Sequence, residues 1–319
     1  MDVKTYQALG LDVPWEDLHA RGYQVNGRAI SDIDESLATV GDVHYHPCPE
    51  AQTSGDLEGE IYTYEQWNQG EVFAGTQRKI SVYLPPSGYG DEPLSVLVFN
   101  DGEAYRSDRG PVRVPRVLEY LLKQGELRPT AAVFVMPGVP EKAALESDKQ
   151  VRYHLAHRQR SFEYDSCTPL YGEFLVRDVL PFVQRELQVE FTSDPARRGV
   201  CGISSGGMCA FNAAWYFPGQ FARVISHCGS FTNIRGANNY PYLIRSTPRK
   251  PLRVYLQSGE RDANIVTGSW PLANQQMADA LAYAGYDHRF EFGTGGHNLR
   301  HAGATFADTL RWIFSSRKS

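Results

Sequence analysis

Arg198-Gly199-Val200-Cys201-Gly202-Ile203-Ser204-Ser205-Gly206-Gly207-Met208-Cys209-Ala210-Phe211 is an apolar run that breaks at a glycine-flanked serine and resumes with helical spacing. Gly202-Ile203-Ser204-Ser205-Gly206 fits G-x-S-x-G, in which a strand turns sharply into a helix and holds the serine in a strained backbone conformation. A side chain at Gly202 or Gly206 would collide as strand and helix approach, so the turn needs small residues on both sides. The pentapeptide alone recurs by chance in many chains; its surroundings give it weight. A strand pattern precedes it, Met208 to Tyr216 suit a helix, and Pro218 follows as a stop.

Upstream, Ile61-Tyr62-Thr63-Tyr64 and Lys79-Ile80-Ser81-Val82-Tyr83-Leu84 alternate as half-buried strands, an antiparallel entry to a sheet. Leu94 to Asn100 and Ala131 to Met136 are continuous β-rich runs of the kind buried on both faces of a parallel sheet, with a helix between them at Val114 to Leu122. Residues 139–170 read as a long polar insertion, a binding loop or cap beside the site. Glu173 to Leu187 is a helix that Pro181 kinks or restarts. Downstream come strands at Arg223 to Cys228, Arg253 to Gln257 and His288 to Phe292, and helices over Pro271 to Tyr283 and Thr305 to Phe314. About eight strands, alternating with helices from the third onward, predict an α/β protein with a mostly parallel sheet covered on both faces. Residues 60–319 are expected to form the catalytic domain, and residues 1–59 an irregular arm or partial lid.

Composition agrees with one globular body. Of 319 residues, 42% are hydrophobic and 22% charged, proportions that support a large core. A net charge of -5 gives no general attraction to nucleic acid or anionic membrane, so a small-molecule partner is expected in their place. Met1-Asp2-Val3-Lys4-Thr5-Tyr6-Gln7 lacks a basic region followed by an apolar one, and no later run is apolar enough to cross a bilayer; the expected location is cytoplasmic. The five cysteines show no C-x-x-C spacing and read as reduced packing thiols. His44-Tyr45-His46-Pro47-Cys48 has no second ligand group at zinc-finger spacing and reads as a loop, so neither metal nor cofactor is expected. The chain is compatible with a homo-oligomer.

A serine hydroxyl is a poor nucleophile at neutral pH, so Ser204 needs a base, and the base an orienting acid. In this arrangement the chain order is serine, acid, histidine. His227 and His288 fall inside strands. His297 stands in Gly293-Thr294-Gly295-Gly296-His297-Asn298, a glycine-rich stretch after the last strand that can bring an imidazole over the sheet edge, and is the expected base, with His301 as the alternative. For the acid, Gly259-Glu260-Arg261-Asp262 follows the preceding strand, and Asp262 lies further into that loop than Glu260. An oxyanion would meet the backbone N–H of Ser205 and one from the loop at Gly102-Glu103. Arg160, Glu163, Tyr164 and Trp270 are candidate pocket residues.

Gly202-Ile203-Ser204-Ser205-Gly206-Gly207, Gly259-Glu260-Arg261-Asp262 and Gly295-Gly296-His297 together resemble the motifs of the putative-esterase family of α/β-hydrolases. That family includes enterochelin esterases, feruloyl esterases, S-formylglutathione hydrolases and mycolyltransferases. The resemblance runs from about Phe73 to Trp312. Val98-Phe99-Asn100-Asp101-Gly102, Arg160 to Asp165 and Trp270 to Gln275 look closest to the enterochelin-esterase-like branch. It implies Ser204 as nucleophile, Asp262 as acid and His297 as base. The chain departs from the family in two places: its front segment is shorter than the β-sandwich that enterochelin esterases carry, and it has Asp101-Gly102 where many relatives have His-Gly. The leading expectation is a serine carboxylic-ester hydrolase working through an acyl-enzyme on a bulky or aryl ester or lactone. The alternatives are an acyltransferase with the same triad, or a noncatalytic binding module on a hydrolase fold.

Overall fold

A computed structural model describes residues 41–88 and 92–315, together with a short antiparallel ladder between Gln24–Val25 and Arg28–Ala29. The expectation for residues 1–59 therefore lies mostly outside the described residues. Eight strands make the body of a nine-stranded sheet: β1 (Glu60–Trp67), β2 (Thr76–Leu84), β3 (Ser95–Asn100), β4 (Thr130–Val135), β5 (Arg198–Ile203), β6 (Arg223–His227), β7 (Arg253–Arg261) and β8 (Asp287–Gly296). Their order is β8-β7-β6-β5-β3-β4-β2-β1, with the short Val139–Pro140 strand added on β2. Pairing is parallel from β8 to β4 and antiparallel from β4 through β2 to β1.

The period of two along β3 divides the core. Val96 and Val98 face one buried cluster, with Val200, Val224, Val254 and the apolar side of helices on that face. Leu97 and Phe99 face the other, with Cys201, Ile225, Tyr255 and residues from the helices opposite. Helices α1 (Gly102–Arg106), α2 (Val114–Lys123), α3 (Lys149–Asp165), α4 (Leu170–Phe174), α5 (Leu180–Leu187), α6 (Ser205–Tyr216), α7 (Tyr240–Ser246), α8 (Trp270–Tyr283) and α9 (Arg300–Phe314) complete the layers. No helix among the described residues is long and apolar enough to cross a membrane.

Two expectations are corrected here, for residues 139–170 and for the start of the last helix, and the break expected at Pro181 is found as a restart. The polar stretch 139–170 is mostly helix: Asp148 caps α3 by accepting from the N–H groups of Gln150 and Val151, and its far end is buried through Glu163, Tyr164 and Asp165. Polar residues at the buried end hide the apolar stripe by which sequence reading finds a helix. The kink at Pro181 is a π turn, Leu175–Val179, between α4 and α5; proline has no N–H for the carbonyl four residues back, and the chain widens before resuming. The last helix begins before Thr305, because Gly303 is part of it, at a place where a Cβ would come within 2.2 Å of the Pro111 carbonyl oxygen.

The insertion is anchored by a buried ion pair. Arg78 of β2 donates to both carboxylate oxygens of Glu163 at 2.7 and 3.0 Å, and Gln159 and the Gly138 N–H donate to the same carboxylate. Removing one partner of such a pair strands the other charge in the core. Glu163→Ala is expected to cost about 3–5 kcal/mol, as measured by urea unfolding.

Candidate active site

The strand-to-helix turn is as tight as the glycines require. A Cβ on Gly202 would lie 2.3 Å from the Gly206 carbonyl oxygen, and one on Gly207 would lie 2.7 Å from Ser226 Oγ. Ser204 between them has φ 58° and ψ -128°, a conformation that L residues rarely adopt and that stores roughly 1–3 kcal/mol. The surrounding backbone holds it there. Ser204 N–H donates to the His227 carbonyl at 3.0 Å, and the Ser204 carbonyl accepts from Gly207, Met208 and Ser230 at 2.9, 3.1 and 3.0 Å.

Strands β7 and β8 deliver the other two side chains. His297 Nε2 is 2.9 Å from Ser204 Oγ, and its Nδ1 is 2.5 Å from Asp262 Oδ1. Asp262 is 4% exposed; it also accepts from Ser258 Oγ at 2.5 Å and from the Ala263 N–H at 2.8 Å. Burial alone would raise its pKa, but the His297 hydrogen bond and charge, with Ser258 and Ala263, outweigh burial and hold it below the usual value. His297 keeps a third of its side chain exposed, so one ring nitrogen is anchored inside while the imidazole borders solvent. Both strands run further than expected. β7 continues through Arg261 and β8 through Gly296, so the glycine-rich stretch is the end of a strand.

Ahead of the serine, Asp101 closes β3 in a left-handed conformation, φ 51°, which aspartate tolerates better than most residues. Its N–H donates to Tyr164 Oη at 3.1 Å, and its carboxylate takes Arg160 Nε and Nη2 at 3.1 and 2.8 Å. Gly102 opens α1 where a Cβ would sit 2.4 Å from the Phe134 Cα. The N–H groups of Gly102 and Glu103 open α1, and that of Ser205 opens α6, where a helix has no internal acceptor for them. Glu103 turns its carboxylate away to Ser81 and Arg106, and it pairs with Lys79.

Of the four candidate pocket residues, Arg160 alone keeps part of its side chain exposed, 26%. Glu163 is consumed by Arg78. Tyr164 is fully buried under Asp101, and Trp270 is 3% exposed with its ring edge-on to His297 at 5.8 Å. These three are supports for the site and not its wall. The side chains of His227, set aside in the sequence, and of His301, the alternative base, lie elsewhere. His227 is buried, bonded through Nδ1 to Tyr105 Oη at 2.8 Å, and burial, with the His301 charge, lowers its pKa to about 3. His301 is packed against the Tyr45 ring at 4.3 Å.

Two side chains that sequence reading did not single out touch this group. Ser230 Oγ lies 3.2 Å from Ser204 Oγ. Asp42, 1% exposed, accepts from the Gly296 N–H with both oxygens at 3.2 Å and from Asn298 Nδ2 at 2.8 Å, bracketing His297 on either side. The sequence carries no local signal for either, since both depend on chain segments meeting in space. Among the described residues, Cys228 Sγ, Asp262 and His297 are the set close enough to hold a metal, with ligand atoms within 4.8 Å of one another. Burial and the Asp262 charge push the Cys228 thiol well above its ordinary pKa, which opposes the thiolate a metal would need.

A strained serine on a strand–helix turn, followed along a parallel sheet by an acid and then a histidine, defines the α/β-hydrolase class. The chain belongs to the esterase family described as Putative esterase, whose model matches residues 72–313. It is 29% identical over 256 residues to the iron(III) enterobactin esterase of Dickeya dadantii, a match covering 75% of this chain and 52% of the relative. It thus spans about half the length of that relative. The enterobactin esterase of Shigella flexneri, solved in the presence of enterobactin, superposes with a TM-score of 0.64 at 19% identity, over 84% of this chain and 62% of that one. A ferulic acid esterase of Anaeromyces mucronatus gives 0.55 at 15% identity, over 84% and 96%. At these identities the two structures speak for the fold.

Two outcomes follow from this geometry. Asp42→Ala is expected to cost about 1.5–3 kcal/mol in urea unfolding, the worth of hydrogen bonds to a charged group, and to slow any reaction that uses His297. The Glu103 carboxyl is pulled from 4.5 to about 2, because Arg106, Ser81 and Lys79 together outweigh its burial. A depressed folded-state pKa stabilises above the unfolded value. The advantage of wild type over Glu103→Gln should therefore be full at neutral pH and shrink as pH falls from 4.5 towards about 2, read from unfolding curves across that range.

Proposed function

We propose that the protein is a serine carboxylic-ester hydrolase that works through an acyl-enzyme, with residues 60–319 as its catalytic unit. The observation that carries this reading is the unbroken series Asp262 Oδ1, His297 Nδ1, His297 Nε2, Ser204 Oγ, at 2.5 and 2.9 Å. Ser204 Oγ attacks the ester carbonyl carbon while His297 Nε2 takes its proton. Asp262 keeps the Nδ1–H tautomer and stabilises the imidazolium that forms. The oxyanion is met by the N–H of Ser205 and by those of Gly102 and Glu103 at the head of α1. Collapse breaks the bond to the alcohol, which leaves with the proton from His297. A water then gives its proton to His297 and attacks the acyl carbon, and collapse breaks the bond to Ser204 Oγ, which takes that proton from His297 as the acid leaves.

The relatives support a substrate class: the proteins this chain resembles are described as enterobactin and ferulic acid esterases, and a bulky or aryl ester or lactone is the reading that fits them. Arg160 sits at the rim of the proposed oxyanion loop, where its charge is shared with Asp101 and its guanidinium carbon lies 5.1 Å over the Tyr164 ring. The continuous hydrogen-bond series weighs against a noncatalytic module, which has no use for it.

A fluorophosphonate probe should label wild type at Ser204, located by mass spectrometry, and leave Ser204→Ala unlabelled. Hydrolysis of an aryl ester panel should fall about 10⁴-fold in Asp262→Asn, which leaves the imidazole in the wrong tautomer. Labelling elsewhere, or full turnover by Ser204→Ala, would sink the proposal.

A further inference from the structure

We infer that Ser230, fixed by the Trp270 indole, donates a hydrogen bond to Ser204 Oγ and so sets the direction in which the nucleophile presents its lone pair. This rests on the serine-hydrolase reading above, and it assigns a positioning role to two residues outside the Ser-His-Asp series.

The direction of the bond follows from counting protons. Trp270 Nε1 lies 3.1 Å from Ser230 Oγ, and an indole nitrogen can only donate. Ser230 therefore spends one lone pair on Trp270, while its own proton stays free. Ser204 Oγ lies 3.2 Å from Ser230 Oγ and 2.9 Å from His297 Nε2. With His297 Nδ1–H committed to Asp262, Nε2 is an acceptor and takes the Ser204 proton. The proton between the two serine oxygens is then that of Ser230. The chain runs Trp270 to Ser230 to Ser204 to His297, each member donating to the next.

The geometry is built. Ser230 is 1% exposed, and its N–H donates to the Ser204 carbonyl at 3.0 Å, so the two residues are tied through backbone as well as side chain. Asn274 of α8 holds the turn from above, donating to the Gly229 carbonyl at 2.9 Å and to that of Trp270 at 2.9 Å. A serine rotor that must give its proton to one partner and accept from another has one orientation left. That orientation leaves the remaining lone pair for the ester carbon.

The test is the saturation kinetics of Ser204 labelling by a fluorophosphonate, which separates probe binding from the bond-forming step. Ser230→Ala is expected to lower the limiting rate about 5- to 10-fold, the worth of one hydrogen bond, with the half-saturating concentration unchanged. Trp270→Phe, which keeps the ring but frees the Ser230 hydroxyl to turn, should lower it about 2- to 3-fold. The double variant should be no slower than Ser230→Ala alone, because Trp270 acts through Ser230. Ser230→Thr keeps the hydroxyl and should stay within about twofold of wild type. A folded Ser230→Ala that labels at the wild-type limiting rate would overturn the inference, as would effects that multiply in the double variant. If Ser230→Ala does not fold, an unaltered limiting rate in Trp270→Phe overturns it equally. Failure of wild type to label would bring down the serine-hydrolase reading and this inference with it, an outcome distinct from labelled wild type with unaffected variants.

Discussion

The approach of β5 to α6 at Gly202 and Gly206 is the contact on which the rest of the site depends. At 2.3 Å from the Gly206 carbonyl there is no room for a Cβ on Gly202, and only that closeness swings the backbone through Ser204 at φ 58°. The strain is tolerated because three N–H groups close on the Ser204 carbonyl and the His227 carbonyl receives its N–H. Asn100 adds a fifth tie, donating to the Gly206 carbonyl at 2.9 Å while accepting from Tyr171 Oη at 2.8 Å. The elbow is thus a feature of β3, β5, β6 and α4 together, over-determined enough to hold an unfavourable dihedral.

Parallel order turns this local event into a site. Strands β5, β6 and β7 lie side by side and β8 pairs with β7, so their carboxyl ends open on one edge. Ser204, Ser230, Asp262 and His297 each follow or end one of these strands. Crossover helices separate them by tens of residues in sequence, yet the register of the sheet brings them within hydrogen-bond distance. Charge is handled by pairing. Glu163 is neutralised by Arg78 and Asp101 by Arg160, so the cationic and anionic groups near the serine are spent on holding α3 and the β3 loop in place.

The arm at residues 41–48 adds support from outside the sheet. Asp42 spans Gly296 and Asn298, Tyr45 lies on His301 and reaches the Thr294 N–H at 3.2 Å, and the Cys48 N–H bonds the Gly303 carbonyl at 3.0 Å. These contacts line one side of the segment that carries His297. A histidine on a glycine-rich strand end has much freedom to lose, and a buried carboxylate on the neighbouring amide removes it.

The sequence by itself determined the elements whose signal is local. The alternation in β1 and β2, the buried runs of β3 and β4, the G-x-S-x-G turn, and the order of Ser204, Asp262 and His297 were all legible, because periodicity, glycine sterics and chain order act between near neighbours. Only the tertiary structure decided what depends on distant segments meeting. It made residues 149–165 a helix anchored by Arg78, withdrew Glu163, Tyr164 and Trp270 from the pocket wall, and placed Ser230 and Asp42 against Ser204 and the His297 strand. A buried polar side chain takes its role from its partner, and no partner here stands close enough in the chain for local pattern to reveal it.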